Sequence, residues 1–283
     1  MLRSSNPILS KQDAFTPAAP QYGQQQYGQQ QYGQNPYAQT DPYAQQPGYA
    51  PYGQPPVSAE PRMTFDDVIT KTAVVMGVLV ISAALAWMFV PPSLYMPALI
   101  LSGLVGFGVV LLVSFRRNIS PPLVFVYAAI EGVFIGMFSN IFNSIYPGIV
   151  MQAVIGTFAA AGVTLAAYRF FNIKVTPKFQ KVVIIATIAF AVAMLINFVA
   201  ALLGFNLGLR DGGTGPVSLL AVGFSILGCV LAVLNLVLDF DYIEKGVAMG
   251  APASESWRGA FGLTVTMVWL YVEILRLLSY LRR

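Results

Sequence analysis

The chain has 283 residues, of which 16 are Lys or Arg and 12 Asp or Glu, so 10% carry charge against about 25% in a soluble domain. With 56% hydrophobic residues and a mean hydropathy of +0.65, it cannot cover a water-facing surface, which argues against a soluble globular enzyme. Histidine is absent and Cys229 is the one cysteine, which removes imidazole-based catalysis, zinc-water chemistry and an intrachain disulfide.

Residues 1–62 read as a tail. Between 21 and 56 the composition is almost entirely Tyr, Gly, Gln, Pro and Ala, with an early five-residue Tyr-Gly-Gln-Gln-Gln repeat. Nothing aliphatic is available there to offset backbone ordering of about 1–2 kcal/mol per residue, so a disordered tail is expected. Polar-aromatic tracts of this kind also self-associate, which leaves a contact module as the alternative. The first residues lack the apolar core of a signal peptide.

From 63 to 283 the expectation is an all-α integral membrane protein with a seven-transmembrane-helix bundle. A span needs about 20 apolar residues. Seven runs qualify: 72–90, 98–115, 123–145, 149–168, 181–203, 217–238 and 258–281, the sixth extending to 245 through Ile243. Pro91-Pro92, Pro121-Pro122, Pro147-Gly148 and the Gly-rich break at 211–216 punctuate them. Gly132 and Gly136 form a G-x-x-x-G pair in the third span, a close-packing signal.

Cation placement orients the bundle. Arg3, Lys11, Arg62, Lys71, Arg116, Arg117, Arg169, Lys174, Lys178, Lys181, Lys245 and Arg258 fall on one side; only Arg210, Arg276, Arg282 and Arg283 fall on or toward the other. This asymmetry predicts a cytoplasmic N-terminus and an external C-terminus, although Arg282 and Arg283 run against it. Sixteen cations over this length do not make a nucleic-acid surface. No nucleophile and base can be paired without histidine, and only Asp239 or Asp241 approaches what an intramembrane aspartyl protease needs. The chain is therefore expected not to be an enzyme, and no cofactor is called for.

Ionisable groups inside spans are costly, about 2.5–3.5 kcal/mol each on insertion scales, so those present face the bundle interior, pair or become neutral. They are Glu131 in span three, Asp239 and Asp241 with Glu244 at the end of span six, and Glu273 with Arg276 in span seven. Glu273 and Arg276, at i and i+3, share a face and are expected to pair, with Glu131 a competitor for the same arginine. Alternatively, Asp239 lies about 12 Å inside its helix end and Glu273 roughly 22 Å past its helix start, so tilt could join them as a carboxylate pair. The acidic group at 239–244 could equally be a solvated helix end. Two or three carboxylates make a weak, transient Ca²⁺ site rather than a cage, which suits conduction.

Leu238-Asp239-Phe240-Asp241-Tyr242-Ile243-Glu244, Trp257-Arg258-Gly259-Ala260 and Leu270-Tyr271-Val272-Glu273-Ile274-Leu275-Arg276 resemble the last two helices of the Bax-inhibitor (transmembrane Bax inhibitor motif) family, in particular its bacterial YccA-like branch. Glu131-Gly132 in span three is similar too, and the resemblance covers 63–283 without the tail. It implies a pH-sensitive Ca²⁺ leak pathway in a bacterial inner membrane. Asp239 and Glu273 would be the proton-sensing acid pair, Glu here standing where the family has Asp. Asp241 is a rival for Asp239, and Arg276 could replace the family's latching arginine of the second helix. The same branch is associated with a membrane-bound protease and stress protection. It therefore also implies a non-conducting regulator that binds other membrane proteins, with residues 1–62 as the contact element.

Overall fold

The computed structural model describes residues 61–116, 118–171, 173–210 and 217–283. The tail through residue 60, Arg117 and the 211–216 break lie outside them, and with them the expectation of a disordered tail. Seven helices follow in chain order: α1 (Phe65–Phe89), α2 (Tyr95–Phe115) after a short 3₁₀ turn at Pro92–Leu94, α3 (Pro121–Ile145), α4 (Ile149–Phe170), α5 (Pro177–Leu202), α6 (Leu219–Ala248) and α7 (Glu255–Leu281). Each is long and apolar enough to cross a membrane.

Helix starts follow the local chemistry. Thr64 caps α1 by accepting the Asp67 amide at 3.2 Å, and Asp66 and Asp67 sit in its first turn, where the helix dipole favours anions. Pro121 and Pro177 open α3 and α5, positions where a missing N–H costs nothing. Gly148, at φ +81°, makes the left-handed step that lets α4 double back on α3 across a three-residue connection.

Helices α3 and α7 form the interior and run parallel. Tyr127 meets Phe261 edge-on at 5.1 Å, and Ser139 shares a 2.6 Å hydrogen bond with Tyr271. Helix α1 lies against both, and α6 against α7. Among the described residues, α2 packs on α3 and its own 3₁₀ turn, and α5 packs mainly on α6, with Phe190 of α5 also meeting the Trp269 ring of α7 at 5.6 Å. The Gly132/Gly136 pair does what its spacing predicts. A Cβ at Gly132 would sit 2.6 Å from the Cβ of Ser82 and one at Gly136 would enter the Ala83 carbonyl, so the glycines let α1 and α3 touch backbone to backbone. Ser82 fills the contact by donating to the Ala129 carbonyl at 2.6 Å.

Large apolar side chains such as Ile69, Ile81, Met88, Leu101, Ile155, Val163, Val182 and Leu219 point outward all round the bundle. In water that surface would be an aggregation liability, whereas against acyl chains it is the ordinary exterior. The protein is thus an integral membrane protein with a lipid-facing surface.

At the end carrying the α6–α7 turn, residues 61–63 are part of the fold. Arg62 bridges Pro252 in antiparallel fashion, the Met63 amide donates to Ala251 O at 2.7 Å, and the Ala253 amide donates to Pro61 O at 2.8 Å. The Met63 side chain is buried against Gly246. At the opposite end, Arg282 donates to Pro147 O at 3.1 Å and to Gln152 Oε1 at 2.8 Å, and Arg283 to the Tyr146 hydroxyl at 3.2 Å. The two terminal arginines that ran against the charge asymmetry are thus engaged by the α3–α4 turn.

Candidate functional site

The seam between α6 and α7 carries two of the five sequence-selected groups, in an arrangement the sequence did not suggest. The helices are antiparallel, and their register sets Gly228 opposite Glu273 and Gly262 opposite Asp239. A Cβ on Gly228 would lie 2.6 Å from Glu273 Cδ, and one on Gly262 would lie 3.2 Å from Asp239 Oδ1. Each acid therefore occupies a notch that a glycine leaves in the facing helix. Eleven residues separate Gly228 from Asp239 on α6, about 16 Å at 1.5 Å per residue. The seam places the two carboxyls at two levels, one in each half of the bundle, and not side by side as a carboxylate pair. Tilt could close the gap only if the helices slid by three turns, which the glycine notches and the short 249–254 connection oppose.

Glu273 is tied to a residue that sequence reasoning had counted merely as a loop cation. Arg210 reaches in from the segment between α5 and α6 and donates Nη1 to Oε2 at 2.7 Å and Nη2 to Oε1 at 2.5 Å. Its Nη1 also meets the Ser225 hydroxyl at 3.2 Å, its Nε the Met194 sulfur at 3.0 Å, and its guanidinium lies 5.7 Å from the Phe190 ring centre. Trp269 Nε1 adds a longer contact to Oε1 at 3.4 Å. The Glu273 side chain is only 2% exposed and that of Arg210 12%. A two-toothed guanidinium–carboxylate pair, desolvated and flanked by aromatic rings, is the geometry in which arginine binds an acid most firmly.

The expected Glu273–Arg276 pair does not form. Arg276 is buried on a neighbouring face, with its guanidinium 5.5 Å from the Phe138 ring centre of α3 and its Nε without a hydrogen-bond partner among the described residues. Three residues on a helix leave about 60° between side-chain directions. Here that suffices to send Glu273 toward α6 and Arg276 toward α3.

Asp239 accepts a 2.7 Å hydrogen bond from Thr266 Oγ1 across the seam. Its rival Asp241 points elsewhere, to Lys245 at 2.6 Å one turn on. Glu244 accepts from Tyr168 of α4, and Glu255 from both Tyr242 at 2.6 Å and Arg258 at 2.8 Å. The acidic end of α6 is therefore divided: Asp239 faces α7, while Asp241 and Glu244 engage its outer sides.

Glu131 stands apart from both. It lies at the α2–α3 contact with Oε2 2.8 Å from where a Cβ on Gly106 would be, a third acid set against a glycine. No hydrogen-bond donor reaches it among the described residues. Parallel register puts Glu131 about 18 Å along the bundle from Arg276, so the two do not compete. Among the described residues no three of His, Cys, Asp and Glu converge as metal ligands.

Arg210 could have been suspected from one signal: it is the lone cation in the loops of its side, beside a Gly-rich break, with an unbalanced acid in a later span. No curated protein matches the chain. A family model described as Bax inhibitor 1 like matches residues 6–283, which includes the Tyr/Gln-rich segment as well as all seven helices. With that match spanning nearly the whole sequence and the seven-helix fold in agreement, the chain belongs to the Bax inhibitor 1 like family.

Proposed function

We propose that the protein is a cation leak pathway, with Ca²⁺ as the permeant ion, controlled by protonation of Glu273 and Asp239 as two separate sites along the α6–α7 seam. The observation that carries this reading is the Arg210–Glu273 pair: a loop arginine plugged into a span by a buried carboxylate. Such a lock holds only while the acid is charged. A proton on Glu273 leaves Arg210 desolvated and unpaired, a state that costs several kcal/mol and favours withdrawal of the loop. Water then gains the seam from that end, and carboxylates spaced along it offer weak successive sites of the kind conduction needs. Besides Arg210, the groups around Glu273 are Ser225 and Cys229 of α6 and Trp269 and Arg276 of its own helix; Asp239 meets Thr266. The sign is fixed by charge: acid releases the lock, so flux rises as pH falls.

The cation asymmetry supports a cytoplasmic N-terminus, with Asp239 in the cytoplasmic half and Arg210–Glu273 in the outer half, and the resemblance to the YccA-like branch adds a bacterial plasma membrane as the location. The reading involves no catalysis and no resident cofactor. It is tested by Ca²⁺ flux into liposomes from mildly acidic to mildly alkaline pH. Glu273→Gln, which copies the protonated side chain, is expected to raise flux at neutral pH and flatten the profile, and Asp239→Asn to alter it further. If both variants keep the wild-type rate and profile, the gating account fails.

A second reading, a regulator that holds other membrane proteins through its tail, draws support from the tie between 61–63 and the α6–α7 turn. Deleting the tail through residue 60 separates the two: a pore keeps its flux, whereas a regulator loses its co-purifying partners.

A further inference from the structure

One feature of the bundle lies outside the α6–α7 seam. Helices α1 and α4 both pack on α7 but not on each other. Between them a cavity of about 390 Å³ opens sideways, floored by α3 and α7. It runs along α1 from Met76 to Met88, twelve residues or roughly 18 Å. That length compares with half of a hydrocarbon layer about 30 Å thick. The cavity occupies the half of the bundle that ends at the α3–α4 turn, since Val150 at the beginning of α4 and Trp87 near the end of α1 both line it.

Its chemistry is nearly uniform. The hydroxyls on its walls are turned to the protein: those of Ser139 and Tyr271 bind each other at 2.6 Å, and Thr157 donates to Ala153 O at 2.7 Å. A water entering would find fewer than the roughly two to four polar partners it needs, and apolar cavities of this kind stay dry and accept hydrocarbon. Left empty, the walls would forgo their dispersion contacts on one side. The mouth is continuous with the lipid-facing surface: Val80 and Met88 on one rim and Phe158 on the other are exposed. Hydrocarbon tails are therefore the medium that meets it. A helix from a second copy is too thick, because a cylinder about 10 Å across fills on the order of 1,400 Å³ over this length.

We propose that the α1–α4 slot is a binding site for one acyl chain of a membrane phospholipid, drawn from the leaflet on the α3–α4-turn side. The site is independent of ion conduction. The full-length protein is reconstituted in vesicles of phospholipid carrying a photoactivatable diazirine on its acyl chain, irradiated, and the labelled peptides are mapped. Labelling of slot residues of α1 and α4 is expected to exceed that of the open lipid-facing flank of α5 by about tenfold, the factor that burying roughly two methylene groups provides. Ala84→Trp, which fills the mouth, is expected to abolish the excess while α5 labelling stays unchanged; Ala84→Leu, a milder filling, is expected to reduce it in part. Equal labelling of slot and α5, or an excess untouched by both variants, overturns the proposal. So does an excess that free fatty acid displaces but added phospholipid does not, and so does a crosslink between two copies through the slot.

Discussion

The two ends of the α6–α7 hairpin handle a buried acid in different ways. At the open end Glu273 is neutralised by a full opposite charge, and the arginine that supplies it belongs to a connecting segment rather than a helix. At the turn end Asp239 receives one hydrogen bond from a neutral hydroxyl, and the surrounding ion pairs, Lys245 with Asp241 and Arg258 with Glu255, lie on the outer sides of the turn. Both acids use the same packing device, a glycine on the facing helix. The difference teaches that the glycine notch makes room for a carboxylate, while what answers its charge is decided separately at each end. The open end depends on a long-range pair and is strong but conditional; the turn end is built from many short-range contacts, each weak.

That contrast can be broken by substitution. The largest effect is expected from Arg210→Ala, which strands Glu273 in the interior: a loss of about 3–5 kcal/mol in unfolding measured in detergent micelles. Replacing both partners together, Arg210→Met with Glu273→Leu, is expected to recover most of it, since no charge is left uncompensated. Next comes Gly228→Ala, whose methyl would meet Glu273 Cδ at 2.6 Å and is expected to cost about 1–3 kcal/mol through overpacking. Gly262→Ala, with 3.2 Å to Asp239 Oδ1, is expected to fall below it; a reversal of that order in the same assay would show that the two notches are not equivalent devices. Thr266→Val removes the one hydrogen bond to Asp239 and is expected to cost about 1 kcal/mol. Smallest is Lys245→Ala, about 0–0.5 kcal/mol, because the lysine side chain is 53% exposed and its pair with Asp241 is screened.

The spans were legible because a hydrocarbon layer imposes length and apolarity on every one of them, and prolines and glycines mark their ends. Helix α1 begins at Phe65, seven residues before hydropathy alone places it, because Thr64, Asp66 and Asp67 stabilise a polar first turn that an apolar window discards. The separation of Asp239 from Asp241 was half legible: two residues apart on a helix, they had to face different ways, but which of them met α7 depended on packing. The pairing of Glu273 was not legible. Arg276 was its nearest cation in sequence, whereas Arg210 lies 63 residues away and reaches it only once the antiparallel register of α6 and α7 and the path of the preceding segment are set. Local spacing proposes partners by proximity along the chain; burial chooses them by proximity in space.

The clasp of residues 61–63 against the α6–α7 turn has a bearing on where the chain is to be cut. Composition marks the change from tail to membrane domain at about residue 62, and a truncation designed there would remove the Pro61 carbonyl that accepts the Ala253 amide and would disturb the Arg62 bridge to Pro252. A phenotype from such a shortened protein would mix the loss of the tail with a loosened hairpin holding Asp239. The natural scissors mark is one peptide upstream of Pro61, and a matched pair of truncations on either side of it measures how much the hairpin relies on that two-rung splice.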